Sequence, residues 1–137
     1  MAINQTQTTS FKKQLYEAVH NLSTNNLYMA LYVAAADLNE TTTIYTTQNE
    51  VTGGGYIAGG VLLTGVTINS SGYTAYVSFN PVNFNASVTA RGALIYNASQ
   101  GNKSIAVLDF GSDKTSTNFI VTPPTNTATS AIIRSSN

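Results

Sequence analysis

The chain is predicted to be mainly β: an antiparallel β-sandwich or barrel-like domain of about seven to eight short strands with one N-terminal amphipathic helix. Three observations carry that expectation. Short apolar runs bounded by Gly, Asn and Ser recur along the sequence. Two of them, residues 93–96 (Ala-Leu-Ile-Tyr) and 105–108 (Ile-Ala-Val-Leu), flank a turn-forming stretch at 97–103 that is far too short for a parallel crossover. Only one segment, near the N-terminus, repeats its apolar residues with helical spacing.

Taken in order, residues 1–9 are polar and predict a flexible N-terminal arm. Ser10 is a capping residue type, and Phe11, Leu15, Ala18, Val19 and Leu22 then share one helical face, which predicts a helix over 10–22. Residues 26–36 read as a strand, with Leu27, Met29, Leu31 and Val33 on one face and Tyr28, Ala30, Tyr32 and Ala34 on the other. Both faces are apolar, so the strand is central or lies at an interface. Residues 37–56 are Thr-rich, aperiodic and closed by Gly53-Gly54-Gly55, and predict an extended loop or arm. A second hairpin is expected from 61–68 and 73–79 around 69–72. Its return strand alternates Tyr73, Ala75, Val77 and Phe79 with Thr74, Tyr76 and Ser78, as a half-exposed strand does. Pro81 makes 82–84 an edge segment. The hairpin of 88–110 is apolar on both faces, so other strands or neighbouring subunits must cover it. Phe119-Ile120-Val121 precedes Pro123-Pro124, and 131–134 is a closing strand. Nothing divides residues 1–137, which are expected to form one domain.

Composition narrows the function classes. Only 9% of the 137 residues are charged and the formal net charge is zero. Thr, Asn and Ser make up about a third and supply most of the polarity. Six Lys and Arg give no electrostatic footprint for nucleic acid. A neutral polar surface suits proteins that pack against other proteins. Cysteine is absent, which removes disulfide and thiol chemistry. The first residues lack the basic-then-apolar pattern of a signal peptide, and no apolar run approaches the roughly 20 residues of a membrane helix. Folding in a cytoplasm is the expectation. Asn-x-Ser/Thr triplets at Asn39, Asn69 and Asn97 are what chance supplies in so Asn- and Thr-rich a chain.

The motifs that spell chemistry lack their partners. Asp109-Phe110-Gly111 has neither the catalytic loop nor the lysine strand of a kinase and reads as a strand ending in a glycine turn. Ser10-Phe11-Lys12-Lys13 matches Ser-x-x-Lys without the Ser-Asp-Asn and Lys-Thr-Gly elements, so a capping serine explains it. The glycines at 53–60 lack the Lys and Ser/Thr of a phosphate loop. His20, the sole histidine, has no nucleophile elbow to serve. Asp109 and Asp113 lack the dense acidic spacing of a calcium loop. No catalytic residue, cofactor or metal ligand is therefore expected, and the chain is not expected to be an enzyme.

Taken as an ordered set, several pieces resemble a family of small β-rich structural proteins of tailed-bacteriophage virions. They are Ser10-Phe11-Lys12 opening a helix, Met29-Ala30-Leu31-Tyr32, Glu50-Val51 before Gly55-Tyr56 and Ala58-Gly59-Gly60, Ala93-Leu94-Ile95-Tyr96-Asn97, Val107-Leu108-Asp109-Phe110-Gly111-Ser112, and Ala131-Ile132-Ile133-Arg134. The resemblance implies a virion component without enzymatic activity, assembled in the host cytoplasm. The expected role is a capsid decoration (cement) protein, a homo-oligomer and most simply a trimer, that stabilises the head through contacts with the major capsid protein; the alternative is a tail or neck component. A host-surface adhesion module binding glycan through its tyrosines is an alternative of another class. Large apolar residues scattered through an aperiodic loop mark Leu38, Ile44, Tyr45, Val51 and Tyr56 as the expected contacts to another subunit or to the capsid. No nucleic acid or membrane partner is expected.

Overall fold

The structure, a computed structural model, describes residues 2–124 and 131–135. Its elements are β1 (Thr6–Gln7), α1 (Thr9–Tyr16), β2 (Leu27–Tyr32), β3 (Val61–Leu62), β4 (Thr67–Ser71), β5 (Thr74–Ser78), β6 (Val82–Asn83), β7 (Val88–Asn97), a single 3-10 turn (Ala98–Gln100), β8 (Lys103–Ser116), β9 (Ile120–Val121) and β10 (Ile133–Ser135). All strand pairings between these elements are antiparallel. The protein is mainly β, as its sequence predicts.

The 88–110 hairpin is the centre of the fold. β7 and β8 pair along their length in a five-stranded sheet of order β1-β8-β7-β2-β3. Period two sorts its residues onto two apolar faces. Leu27, Met29, Leu31, Ala93, Ile95, Ala106 and Leu108 face α1, the β10-β5-β4 sheet and the β6-β9 ribbon, and form the larger core with Phe11, Val77, Phe79, Val82 and Phe84. Ala30, Tyr32, Leu94, Tyr96 and Val107 line the opposite face, where Ile3, Ala36 and Leu38 cover them. The covering is supplied by the chain itself.

Gly92 permits that second layer. A Cβ there would lie 2.5 Å from the Leu108 carbonyl oxygen and 2.9 Å from Ile3 Cγ2, so only a bare backbone lets Ile3 settle on β7. Beyond Gly92 the ladder shifts register, since Gly92 faces Asp109 but Ala90 faces Lys114. Residues 110–113 thus bulge from β8 opposite Arg91 alone. The bulge tips Phe110 towards Phe119, whose ring centroid lies 6.0 Å away. Phe119 meets Phe84 at 6.3 Å, and Phe84 meets Tyr56 at 6.1 Å, so one aromatic row ties the bulge to β9, β6 and the loop before β3.

Four expectations are corrected. Residues 2–9 are no free arm: Asn4 N–H donates to Leu38 O, Thr6 and Gln7 pair with Val107 and Ala106, and Thr8 caps α1 by accepting from Phe11 N–H. The helix ends at Tyr16 instead of Leu22. Ala18 takes a left-handed backbone (φ 59°), and Ala18 and Val19 donate back to Leu15 O and Gln14 O, the Schellman closure that glycine usually makes. Val61–Leu62 pairs with β2 instead of joining the second hairpin, which consists of β4 and β5 about a turn at Gly72–Tyr73. Gly60 (φ 83°) allows this, because a Cβ would overlap the Met29 carbonyl oxygen. Finally, residues 37–56 pack against the domain. Leu38 N–H donates to Ala2 O, Tyr45 N–H to Asn102 O, and Val51 N–H to Leu31 O, so the segment girdles the second face and both ends of the sheet.

Candidate interaction surface

The residues expected to reach a partner separate into three groups. Leu38 and Val51 are 1% and 4% exposed and belong to the two cores. Burying them on their own sheet removes them as contacts. Tyr45 and Tyr56 are half-buried around Glu50. Ile44 alone of the set stands out, at 52% exposure, where it pairs with Lys103 on the margin of the sheet.

Glu50 organises this region without appearing among the expected site residues. Its carboxylate is buried, with Oε1 accepting from Tyr45 Oη at 2.6 Å, and Oε2 accepting from Tyr56 Oη at 2.5 Å and Gly59 N–H at 2.8 Å. Tyr56 Oη in turn accepts from Leu31 N–H at 3.0 Å, while Tyr96 Oη donates to Gly59 O at 2.6 Å. Tyr45 stacks on Tyr96 at 4.7 Å, and Tyr28 lies against the same ring at 5.9 Å. Burial, and then the hydrogen bond to Glu50, push the Tyr45 and Tyr56 hydroxyls well above the ordinary phenol range. Burial and the Glu50 charge push Tyr96 up to about 12. The tyrosines are thus protonated donors, and three of the donors they and the backbone supply converge on one carboxylate. Both carboxylate oxygens of Glu50 and the hydroxyls of Tyr45, Tyr56 and Tyr96 are hydrogen-bonded. The cluster is a clasp that holds residues 44–60 against β2 and β7, and it presents no free nucleophile or base.

His20 is equally committed. Asn97 Nδ2 donates to Asn25 Oδ1 and Asn97 Oδ1 accepts from Ser99 N–H, which fixes the amide orientation. His20 Nδ1 therefore accepts from Asn97 Nδ2 at 3.0 Å, and its Nε2–H donates to Gln14 Oε1 at 2.8 Å. Burial, helped by the charge of Lys103, holds the imidazole below its usual pKa and keeps it neutral. Asp109 Oδ1 is engaged by Gly111 N–H and Arg91 Nε, and those contacts hold its carboxyl below the usual range, the Gly111 bond foremost. Among the described residues no group of three His, Asp or Glu side chains is placed to hold a metal ion, and no helix is long and apolar enough to cross a membrane.

One long stretch of the chain carries no charge. No charged residue occurs between Glu50 and Arg91, a span that builds β3, β4, β5, β6 and the start of β7. Four large side chains in it face solvent: Ile57 (76% exposed), Leu62 (41%), Ile68 (49%) and Tyr73 (87%). Ile68 also flanks a groove of about 410 Å³ between α1 and the β10-β5-β4 sheet, lined by Phe11, Leu15, Leu22, Val77 and Ile133. The signal was present in the sequence as a gap in the distribution of charge, which the overall composition conceals. Comparison of the chain with protein-family models, with curated proteins and with solved structures finds no match.

Proposed function

We propose that this protein is a structural component of a bacteriophage virion, a capsid decoration protein that acts as a homo-oligomer, a trimer in the simplest case, bound to the major capsid protein. The observation that supports this reading most directly is the uncharged stretch between Glu50 and Arg91 with its exposed Ile57, Leu62, Ile68 and Tyr73. A stretch without charge carries little protection against association, and the apolar side chains it exposes favour protein contact over solvent. The resemblance of the ordered sequence elements to phage virion proteins supplies the identity of the partner. Both faces of the five-stranded sheet are covered by the chain itself, so a rigid block would present those exposed side chains to its neighbours.

The action would be mechanical. Repeated modest interfaces around a shell add avidity without any one being large, and a pre-folded module loses little conformational entropy on docking. The contacts assigned to Leu38 and Val51 pass in this reading to Ile57, Leu62 and Ile44. The glycan reading has no comparable support, because Tyr28, Tyr45 and Tyr96 stack on one another and the Tyr45 and Tyr96 hydroxyls are already bonded. The test is an averaged electron-microscopy map of purified phage particles produced with and without its gene. Periodic density on the outer head that disappears with the gene is the expected result. Density confined to tail or neck would move the assignment there, and a protein absent from particles would overturn it.

A further inference from the structure

We propose that β4 is a self-pairing edge, through which two copies of this chain join their β10-β5-β4 sheets about a two-fold axis. Ser71 and Thr74 flank the two-residue turn and form a hydrogen-bonded pair, so the ladder alternates inward from there. Thr67, Asn69 and Ser71 direct their backbone groups to β5. Ile68 and Ser70 direct theirs outward, where β4 is the last strand of its sheet and no strand pairs with it among the described residues.

Natural edges are guarded by lysine, proline, bulges or short length. This one is five residues, Thr-Ile-Asn-Ser-Ser, in unbroken register with β5, and neither strand of the hairpin carries a charge. The inner face says what the edge lacks. Ile133, Val77 and Ile68 lie in one row across the three strands, and their exposure climbs from 3% and 6% to 49% at the edge. The sheet is one strand short of covering its own row. A second copy placed antiparallel with Ile68 opposite Ile68 continues the row into its own Val77 and Ile133 and meets no like charge. A partner strand bearing charge would gain nothing on so neutral an edge, whereas the same edge is complementary to itself.

The contact is far smaller than the roughly 1,200–2,000 Å² of a stable interface. Pairing is therefore weak in dilute solution and extensive where copies are held close, as across the two-folds between neighbouring oligomers on a shell. The inference does not depend on that setting. Its test uses the full chain alone, ¹⁵N-labelled, from about 10 μM to about 1 mM, the range of weak association. Amide exchange at Ile68 and Ser70 should slow by about tenfold or more across that range while sedimentation shifts from the species present in dilute solution towards one of twice its mass. Ser70→Pro deletes an outward N–H only, and should abolish both changes in a folded protein. Ile68→Lys, which places like charges opposite each other, should do the same if the proline perturbs folding. Exchange at Ile68 and Ser70 that is independent of concentration, or a dimer that survives both substitutions, overturns the proposal. A failure here leaves the virion reading standing, and absence from virions leaves this pairing standing.

Discussion

Removing the Glu50 carboxylate is the most informative single perturbation of the fold. Glu50→Ala strands the donors of Tyr45, Tyr56 and Gly59, which now bond at 2.6, 2.5 and 2.8 Å. Hydrogen bonds to an ionised group contribute about 1.5–3 kcal/mol each, and a buried donor left unpaired costs about 1–3 kcal/mol. Two terms reduce the sum. Tyr45 is partly exposed, so water can replace its lost acceptor, and the protein no longer desolvates a carboxylate. The expected net loss is about 3 kcal/mol. Glu50→Gln keeps the volume and one acceptor oxygen, but its amide must point a donor at a hydroxyl or an N–H, so about 1–2 kcal/mol is expected. Urea denaturation of both variants measures this as a lowered midpoint at unchanged slope. Amide exchange should quicken first at Gly59 and Leu31, the two backbone donors on the clasp. If Glu50→Ala lies within about 0.5 kcal/mol of the parent, the carboxylate is a tolerated buried charge and the clasp is not what holds residues 44–60.

Three further outcomes follow from other sites. Ala18→Gly should raise stability by about 0.5–1 kcal/mol, because glycine relieves the roughly 1–2 kcal/mol that a left-handed backbone costs an L-residue but loses more freedom on folding, and thermal denaturation will register the gain. Gly92→Ala should lose about 1–3 kcal/mol by forcing Ile3 off β7, with nuclear magnetic resonance shifts concentrated at Ile3 and Leu108 if the layer contact is the cause. The pH profile should slope at both ends. His20 is held below its usual 6.5, so the unfolded chain binds its proton first and stability falls as pH drops through and below 6.5, a slope that His20→Gln should flatten. Tyr96 is held near 12 against 10.0, so the unfolded chain loses its proton first and stability falls as pH rises from about 10 towards 12; Tyr96→Phe should weaken that alkaline slope.

Much of the β domain was legible in residue periodicity. Leu94 and Ile95, like Val107 and Leu108, are apolar on successive positions, and that pattern required cover on both faces of the central hairpin. What periodicity could not say is whose atoms provide the cover. Leu38, Tyr45 and Val51 sit at no regular spacing, because a segment that wraps a sheet follows its outline and repeats nothing. Their apolar character therefore fitted docking on a neighbour as well as burial at home. The helix boundary failed for a local reason. Val19 and Leu22 continue the helical spacing, yet Ala18 turns left-handed and delivers Leu22 to the core from a loop. A residue without the glycine signature hid the stop. Glu50 was passed over because a lone acid next to Val51 carries no motif, and its three donors come from residues five to nine positions away in a loop. The apolar two-faced pattern of residues 26–36 required cover for Tyr28, and Tyr28 stacks on Tyr96 across β2 and β7.

In the proposed function, the exposed apolar side chains of the uncharged stretch between Glu50 and Arg91 are what this protein assembles through. The most direct measurement is the copy number on particles of a variant carrying Ile57→Lys and Leu62→Lys together, set against a variant of Tyr16, which is 94% exposed on the helix and outside that stretch, carrying Tyr16→Lys. All three side chains already meet solvent, so both proteins should fold with unchanged denaturation midpoints. Normal incorporation of Tyr16→Lys and a loss of about tenfold or more for the double variant are expected. Equal incorporation of the two would contradict that role.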